Sequence, residues 1–507
     1  MIKAESLPLP ILVLLTLALT LATFMQVLDT TIANVSIPAI SGDLGVAPTD
    51  GTWVITAFGV SNAISMPLTG WLAKRFGEVK LFVISTALFS LTSMLCGLSP
   101  SFEILIVGRV LQGAVAAPMM PLSQSLLLSN YPSTKKGLAL AFWAMTATVG
   151  PIAGPLLGGY ITDNFSWSWI FYINVPIGIF CSFIVWQLIK HKETDKAKYP
   201  IDFIGLSLLI IGVGSLQVLL DRGNNLDWFG STTIIFLTIV SSIGILFFVI
   251  WEIFNEHPVV DLKLFKIRNF VIGTIVLSVG YAIFLGGGVV FPLWLQTQIG
   301  YTAFWAGFAS AAVGVFAFLL SPIVGSNMHK MNLRVVVSIS FALFALSYFL
   351  MSNFTTEVDL FHVSFPRLIM GIAMAMFFVP LTSIVISQIN PSRIASAMGV
   401  VNFLRILGGS LGTSIGVTFW QRWGSLHHEQ LAEHINLFSP QSINIYHSLS
   451  HITSSPASFI NRMITQQAMT MSNDNILLLS GYTFLLMIPI IWIARPPFLT
   501  SRVKKKS

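Results

Sequence analysis

Asp29 and Arg109 lie inside apolar runs, where a charge is costly and marks a candidate functional site. If helix 1 runs outward from about residue 9 and helix 4 inward from about residue 103, both side chains fall in the outer third of the span. They then stand within about one turn of the same depth, at ~1.5 Å of rise per residue. A carboxylate and a guanidinium at one depth can pair. Low dielectric favours the protonated carboxyl, whereas a guanidinium in contact favours the carboxylate. A helix pair with two arrangements would therefore take up a proton in one and release it in the other. Asp29 and Arg109 are the candidate proton-coupling pair; the alternative is a static ion pair fixing helix 1 against helix 4. Arg367 and Arg405 also fall within spans, with no intramembrane acid to partner them, although Arg367 is near enough to a helix end to snorkel outward. Such a surplus of positive charge suits an anionic or acidic lipophilic substrate better than a cation. With Asn34, Gln112 and Asn402, these two arginines form the candidate substrate cavity.

The elements that must hold these residues follow from composition. The chain has 507 residues, 54% of them hydrophobic and only 9% charged, with a mean hydropathy of +0.81. Ordinary soluble proteins carry about a quarter charged residues, and disorder is excluded because so much apolar surface cannot stay solvated. Fourteen apolar stretches of spanning length start near residues 9, 51, 79, 103, 138, 169, 201, 232, 270, 303, 333, 363, 397 and 476. The expected fold is an all-α polytopic membrane protein. The first stretch lacks a convincing cleavage site and reads as a retained helix. An even number of spans puts both termini on one side. Placing them in the cytoplasm assigns 21 of the 27 Lys and Arg residues to cytoplasmic segments, the bias that orients membrane proteins.

The chain is also internally repeated. Pro67 and Gly70 recur as Pro322 and Gly325, an offset of 255. Arg109 and Gly113 recur as Arg367 and Gly371, an offset of 258, and Pro132, Ser133 and Lys135 recur as Pro391, Ser392 and Arg393. Parallel six-helix halves with a central site are a transporter design. The predicted domains are a six-helix bundle over 1–189, a linker with two further helices over 190–269, a second six-helix bundle over 270–494 and a basic tail over 495–507. The second bundle includes a polar external segment, 421–475, long for a loop without structure of its own. Short helical pieces are expected there, at 422–434 and 456–471.

Helix 5 carries Gly150, Pro151, Gly154, Pro155, Gly158 and Gly159. A four-residue glycine spacing makes a flat face that a second helix can approach. The prolines bend the helix and free carbonyls, so a hinge and a packing face are equally good readings of the spacing. Cys96 and Cys181 both sit in apolar runs and offer neither a disulfide framework nor a metal site. No His lies within a span beside an acid, as general-base chemistry would use, and there is no Gly-rich phosphate loop for an ATP-driven pump. His427, His428 and His434 read as residues of a wet loop more readily than as metal ligands. No cofactor is expected beyond a proton as coupling ion. The alternative within transporters is a proton-coupled or facilitative carrier of a small metabolite.

Several stretches resemble one known family. GWLAKRFGEVK (70–80) is similar to the loop signature between helices 2 and 3 of the major facilitator superfamily, with Gly70, Lys74, Arg75, Gly77 and Lys80 as its conformational-loop residues. It departs at Lys74, where the superfamily usually carries Asp. LDTTIANVSIP (28–38), RVLQGAVAAP (109–118) and GPIAGPLLGG (150–159) resemble the helix 1, helix 4 and helix 5 motifs of the fourteen-helix drug:proton antiporter branch. The likeness continues through WSWIFYINVPIG (167–178), SLQVLLDRGNNLDWF (215–229) and ARPPF (494–498), close to the whole chain. The resemblance implies that Arg109 takes part in proton transfer and that Gly150 to Gly159 form an antiporter motif. It further implies export of hydrophobic drugs and uncouplers from a bacterial inner membrane. The implied partners are a periplasmic adaptor of the EmrA type and an outer-membrane channel of the TolC type, with 421–475 as the candidate contact.

Overall fold

The computed structural model describes residues 8–46, 51–132, 135–194, 196, 202–223, 226–255, 258, 260–390, 393–433, 435, 440–450 and 455–498. Ser133, Ser392, His434 and the basic tail beyond residue 498 lie outside them. So do the side chains of Asn34, Pro151 and Pro155.

All the regular structure among these residues is helical. The first bundle comprises α1 (Leu9–Leu44), α2, α3 (Glu78–Gly97), α4, α5 (Lys136–Asn164) and α6. Three of these are interrupted. Segment α2 runs Trp53–Ser65, tightens to a 3-10 turn at Met66–Leu68 and resumes at Thr69–Phe76. Segment α4 runs Phe102–Ala116 and, after Pro118, Met119–Asn130. Segment α6 runs Trp169–Tyr172 and Asn174–Ile189. Then follow α7 (Phe203–Arg222) and α8 (Thr232–Phe254). The second bundle comprises α9 (Arg268–Trp294), α10 (Ala303–Asn327), α11 (Leu333–Met351), α12 (Leu360–Ala375 and Phe378–Ile386), α13 (Ile394–Glu433) and α14 (Pro456–Trp492). Twelve of these segments are long and apolar enough to cross a membrane. In α2 the apolar run is diluted by Gly, Ser, Thr and Asn.

Helix starts are written in the sequence as side-chain acceptors for otherwise orphaned backbone N–H groups. Asp202 Oδ1 accepts from Gly205 N at 2.9 Å, and Asp359 Oδ1 from His362 N at 2.8 Å. The start of α3 is different. Gly77 adopts φ +90°, open mainly to glycine, and the cap comes from far along the chain. Glu193 accepts from Val79 N at 3.0 Å and Lys80 N at 2.8 Å, and Thr194 Oγ1 accepts from Glu78 N at 3.1 Å.

The external segment is corrected by the structure. Residues 421–433 and 456–475 are not separate short pieces but continuations of α13 and α14, and a further helix spans Pro440–Ser450. At ~1.5 Å per residue, α13, with 40 residues, is about 60 Å long, twice the ~30 Å hydrocarbon layer. Its outer part packs on α14: Trp420 Nε1 donates to Met469 O at 3.1 Å, and Ser472 Oγ donates to Trp420 O at 2.7 Å. The last helix therefore begins at Pro456, about twenty residues before the apolar run that starts near 476.

The repeat is visible in the packing. Helix 5 lies on α1 through its glycines: a methyl group at Gly150 would stand 2.6 Å from Val27 Cγ1, one at Gly158 would stand 2.6 Å from Ile32 O, and one at Gly154 would collide with Thr31. In the second bundle Gly408, Gly412 and Gly416 do the same for α13 on α9, against Ser278, Ala282 and Gly286. Each second-bundle glycine follows its first-bundle counterpart by 258 residues. In both bundles small residues let two helix backbones approach. Of the two readings left open for the helix 5 glycines, the packing face is the one the contacts display.

Helices α7 and α8 pair with each other, and α7 lies in the seam between α2 and α13. On the α13 side, Gln217 Nε2 donates to Ser410 Oγ at 2.9 Å, Ser414 Oγ donates to Leu220 O at 2.8 Å, and Trp228 Nε1 donates to Thr418 Oγ1 at 3.0 Å. On the α2 side the Arg222 guanidinium stacks over the Trp53 ring at 4.6 Å.

Candidate functional site

Asp29 and Arg109 meet. Arg109 Nη1 donates to Asp29 Oδ2 at 2.6 Å, and both side chains have zero exposure. The Asp29 carboxylate has further donors: Asn174 Nδ2 at 2.9 Å and Gln112 Nε2 at 3.2 Å, both on Oδ1. Arg109 Nη1 also donates to Gln112 Oε1 at 2.7 Å, and its Nε to Val54 O at 2.8 Å. Phe58 and Phe171 rings lie 4.4 and 5.5 Å from its guanidinium carbon. Ser93 completes the cluster by accepting from Gln112 Nε2 at 2.6 Å. Thus α1, α2, α3, α4 and α6 each contribute a polar group to one enclosed ion pair.

This arrangement is physically costly and chemically specific. Removing two charges from water costs several kcal/mol per ion, and only good geometry and saturated hydrogen bonding repay it. The carboxylate obtains three donors, so its negative charge is well supported while Arg109 is in place. Any motion that draws Arg109 or Asn174 away leaves the Asp29 carboxylate with fewer donors.

The other expected residues separate into distinct places. Gln112 belongs to the Asp29 cluster and not to a cavity wall; the helical spacing from Arg109 to Gln112 puts both on one face of α4. Asn402 and Arg405 lie where the two bundles meet. Asn402 Nδ2 donates to Gln124 Oε1 of α4 at 2.8 Å. The Arg405 guanidinium sits among Trp143 of α5, Tyr281 of α9 and Phe378 of α12, at 5.5, 5.1 and 5.6 Å, with Nη2 2.8 Å from Met120 Sδ. Arg367, by contrast, is enclosed within the second bundle, 4.2 Å over the Phe291 ring, and is only 5% exposed. It occupies the position that Arg109 holds in the first bundle, so the structure does not bring it to the seam with Arg405, and its head does not snorkel to the surface.

The loop residues stand at the ends of the helices that carry the basic loops. Gly70 packs against Ser396 of α13, and Gly325 of α10 packs against Gly137 of α5. Arg75 stacks on Trp71 at 5.3 Å. Glu193 reaches back to this corner and caps α3. Cys96 and Cys181 are buried free thiols. His427 and His428 contact Asn475 and Asn461, across to α14, at 2.8 and 3.0 Å. Asn174, Ser93, Trp143, Tyr281 and Met120 were not anticipated. A signal existed for Asn174 alone, as a carboxamide in the otherwise apolar stretch WSWIFYINVPIG.

Two repeated helical bundles of apolar helices, an enclosed ion pair in one and an aromatic-lined arginine between them, define a multi-pass membrane transporter and not an enzyme. Residues 19–413 match the model of the Major Facilitator Superfamily, and the chain belongs to that family. It is 50% identical over 491 residues to the multidrug export protein EmrB of Escherichia coli strain K12, covering 96% of each chain. It is 47% identical over 489 residues to the fatty acid resistance protein FarB of Neisseria gonorrhoeae, covering 95% of this chain and 96% of that one. Among solved structures, the proton:xylose symporter XylE aligns with a TM-score of 0.61 at 14% identity, over 95% of both chains, which shows the shared fold.

Proposed function

We propose that this protein is a proton-driven multidrug efflux antiporter of a bacterial inner membrane, with both termini in the cytoplasm. It exports hydrophobic, weakly acidic or neutral compounds and uses no cofactor other than the coupled proton. The observation that carries the reading is the fully buried Asp29–Arg109 pair at 2.6 Å, a charge pair that helix movement can break. In the antiport cycle Asp29 takes a proton from the outer side when its donors withdraw. It gives the proton to the inner side when Arg109 and Asn174 close on it again. Asn402 and Arg405, which lie where the two bundles meet, handle the substrate. The motif Gly150 to Gly159 couples α5 to α1, so that substrate-driven movement of α5 is felt at Asp29. Identity of 50% to EmrB supports the substrate class. As the inner-membrane pump of a tripartite system, the protein would work with a periplasmic adaptor of the EmrA type and an outer channel of the TolC type. The outer parts of α13 and α14 would be the adaptor contact.

The test is drug exchange in proteoliposomes carrying a lumenal pH dye. Efflux of a preloaded hydrophobic drug should acidify the lumen, and Asp29→Asn should abolish acidification while the protein still folds. Drug movement without proton movement in the wild type would replace this reading by a facilitative carrier.

A further inference from the structure

Arg109 and Arg405 are equally deep in the protein but differently satisfied. Arg109 meets a carboxylate, a carboxamide oxygen and a backbone carbonyl, although its Nη2 has no acceptor among the described residues. Arg405 is 3% exposed, its Nε is enclosed without an acceptor among the described residues, and its Nη2 donates to the Met120 thioether, a weak acceptor. The rings of Trp143, Tyr281 and Phe378 line its sides without offering an anionic oxygen. Cation–π contacts offset part of the desolvation of a buried guanidinium, but five N–H donors in a planar fork are matched only by a bidentate oxyanion.

Resting on the antiporter reading above, we infer that Arg405 binds the ionised head of a lipophilic monoanion, a carboxylate with an apolar body. The head completes the guanidinium's hydrogen bonds and the aromatic walls take the apolar part. The site is shared: Met120 and Trp143 come from the first bundle, Tyr281 and Phe378 from the second. Separation of the bundles therefore divides the walls and weakens the hold on the anion, which is how binding is tied to release. A consequence concerns charge. An anion that leaves while protons enter moves one more elementary charge inward per molecule than a neutral compound does, whatever the number of protons.

The experiment uses a fluorescent long-chain alkanoate and the alcohol of the same chain length as probes. Purified wild-type protein should bind the alkanoate at least about tenfold more tightly than the alcohol. Arg405→Gln should remove that preference without changing alcohol binding more than about twofold, and Arg405→Lys should restore part of it. In proteoliposomes the charge moved per alkanoate should exceed that per alcohol by one. Equal wild-type affinity for the two probes overturns the inference, and this measurement does not depend on any variant folding. So does an equal loss of both probes in Arg405→Gln. If proton movement fails to accompany transport of either probe, the antiport reading falls, while the alkanoate preference at Arg405 stands or falls separately.

Discussion

Gly137 of α5 and Gly325 of α10 meet backbone against backbone, and at the equivalent crossing in the repeat Gly70 of α2, the counterpart of Gly325, packs against the small side chain and Cα of Ser396 of α13, the counterpart of Gly137. Four helices thus close the protein at the end that carries the basic loops. The repeat offsets of 255 for Gly70 to Gly325 and 259 for Gly137 to Ser396 make the two contacts equivalents of one another. A transporter of this fold must open that end in part of its cycle, and the small residues at these crossings let the closed form pack without a lock.

Adding side chains there should bias the cycle. A Cβ at Gly325 would stand 2.6 Å from Ala141 Cβ and against the Gly137 carbonyl. Overpacking of this kind costs about 1–3 kcal/mol, so Gly325→Val should shift the balance of closed to open forms by roughly 5- to 150-fold. Spin-label distances between the inner ends of α5 and α10 should report it as a longer population, with transport slowed. An unchanged distance distribution would contradict the role given to this crossing.

Asp29 variants should separate coupling from stability. Asp29→Asn keeps an acceptor for Arg109 and the shape of the cluster. Both variants remove the counter-charge of Arg109, but Asp29→Ala also removes every side-chain acceptor at that position, which costs about 3–5 kcal/mol. Both should stop drug-driven acidification, but only the alanine variant should show a large fall in thermal stability in detergent. Retention of acidification in Asp29→Asn would defeat the coupling scheme.

The cap on α3 should be separable from the rest of the loop. Glu193 is the acceptor for two backbone N–H groups at a helix N-terminus, where a negative charge is also favoured by the helix dipole. Glu193→Ala should cost about 1–2 kcal/mol, and hydrogen exchange at Val79 and Lys80 should accelerate roughly 5- to 30-fold. Exchange in α9 should not change, and equal acceleration there would mean a global effect.

The seal made by α7 should depend on its polar contacts. Gln217→Ala and Ser414→Ala each remove one hydrogen bond between α7 and α13, and interhelical bonds in membranes average about 0.6 kcal/mol. The double variant should lose about 1 kcal/mol by the same measure and should label faster with a lipid-soluble maleimide at a cysteine placed at Met120. Unchanged labelling would mean that α7 is not what shields the seam.

The residues of the ion pair were legible because charge is rare in these spans: two charged residues at one depth in an apolar sequence have little else to do. Span positions followed from apolar length, and the repeat from matched offsets at Pro67, Arg109 and Pro132. Helical pieces at 422–434 and 456–471 were expected, but not their continuity with α13 and α14, because these outer parts are polar and their length comes from pairing with each other, as at Trp420 and Met469, and not from hydropathy. The second glycine stripe was present as Gly408, Gly412 and Gly416 but carries no charge or proline to draw notice.

Sequence alone determined that this chain lives in a bilayer, that its halves are copies, and that Asp29 and Arg109 are its costliest residues, because the price of placing each side chain in hydrocarbon is set locally. Only the tertiary structure decided which arginine meets an acid, which lies between the bundles and which is sealed inside the second. Arg109, Arg405 and Arg367 are alike as residues, and the partners that distinguish them, Asp29 80 residues away and Met120 285 residues away, come together only when the helices pack.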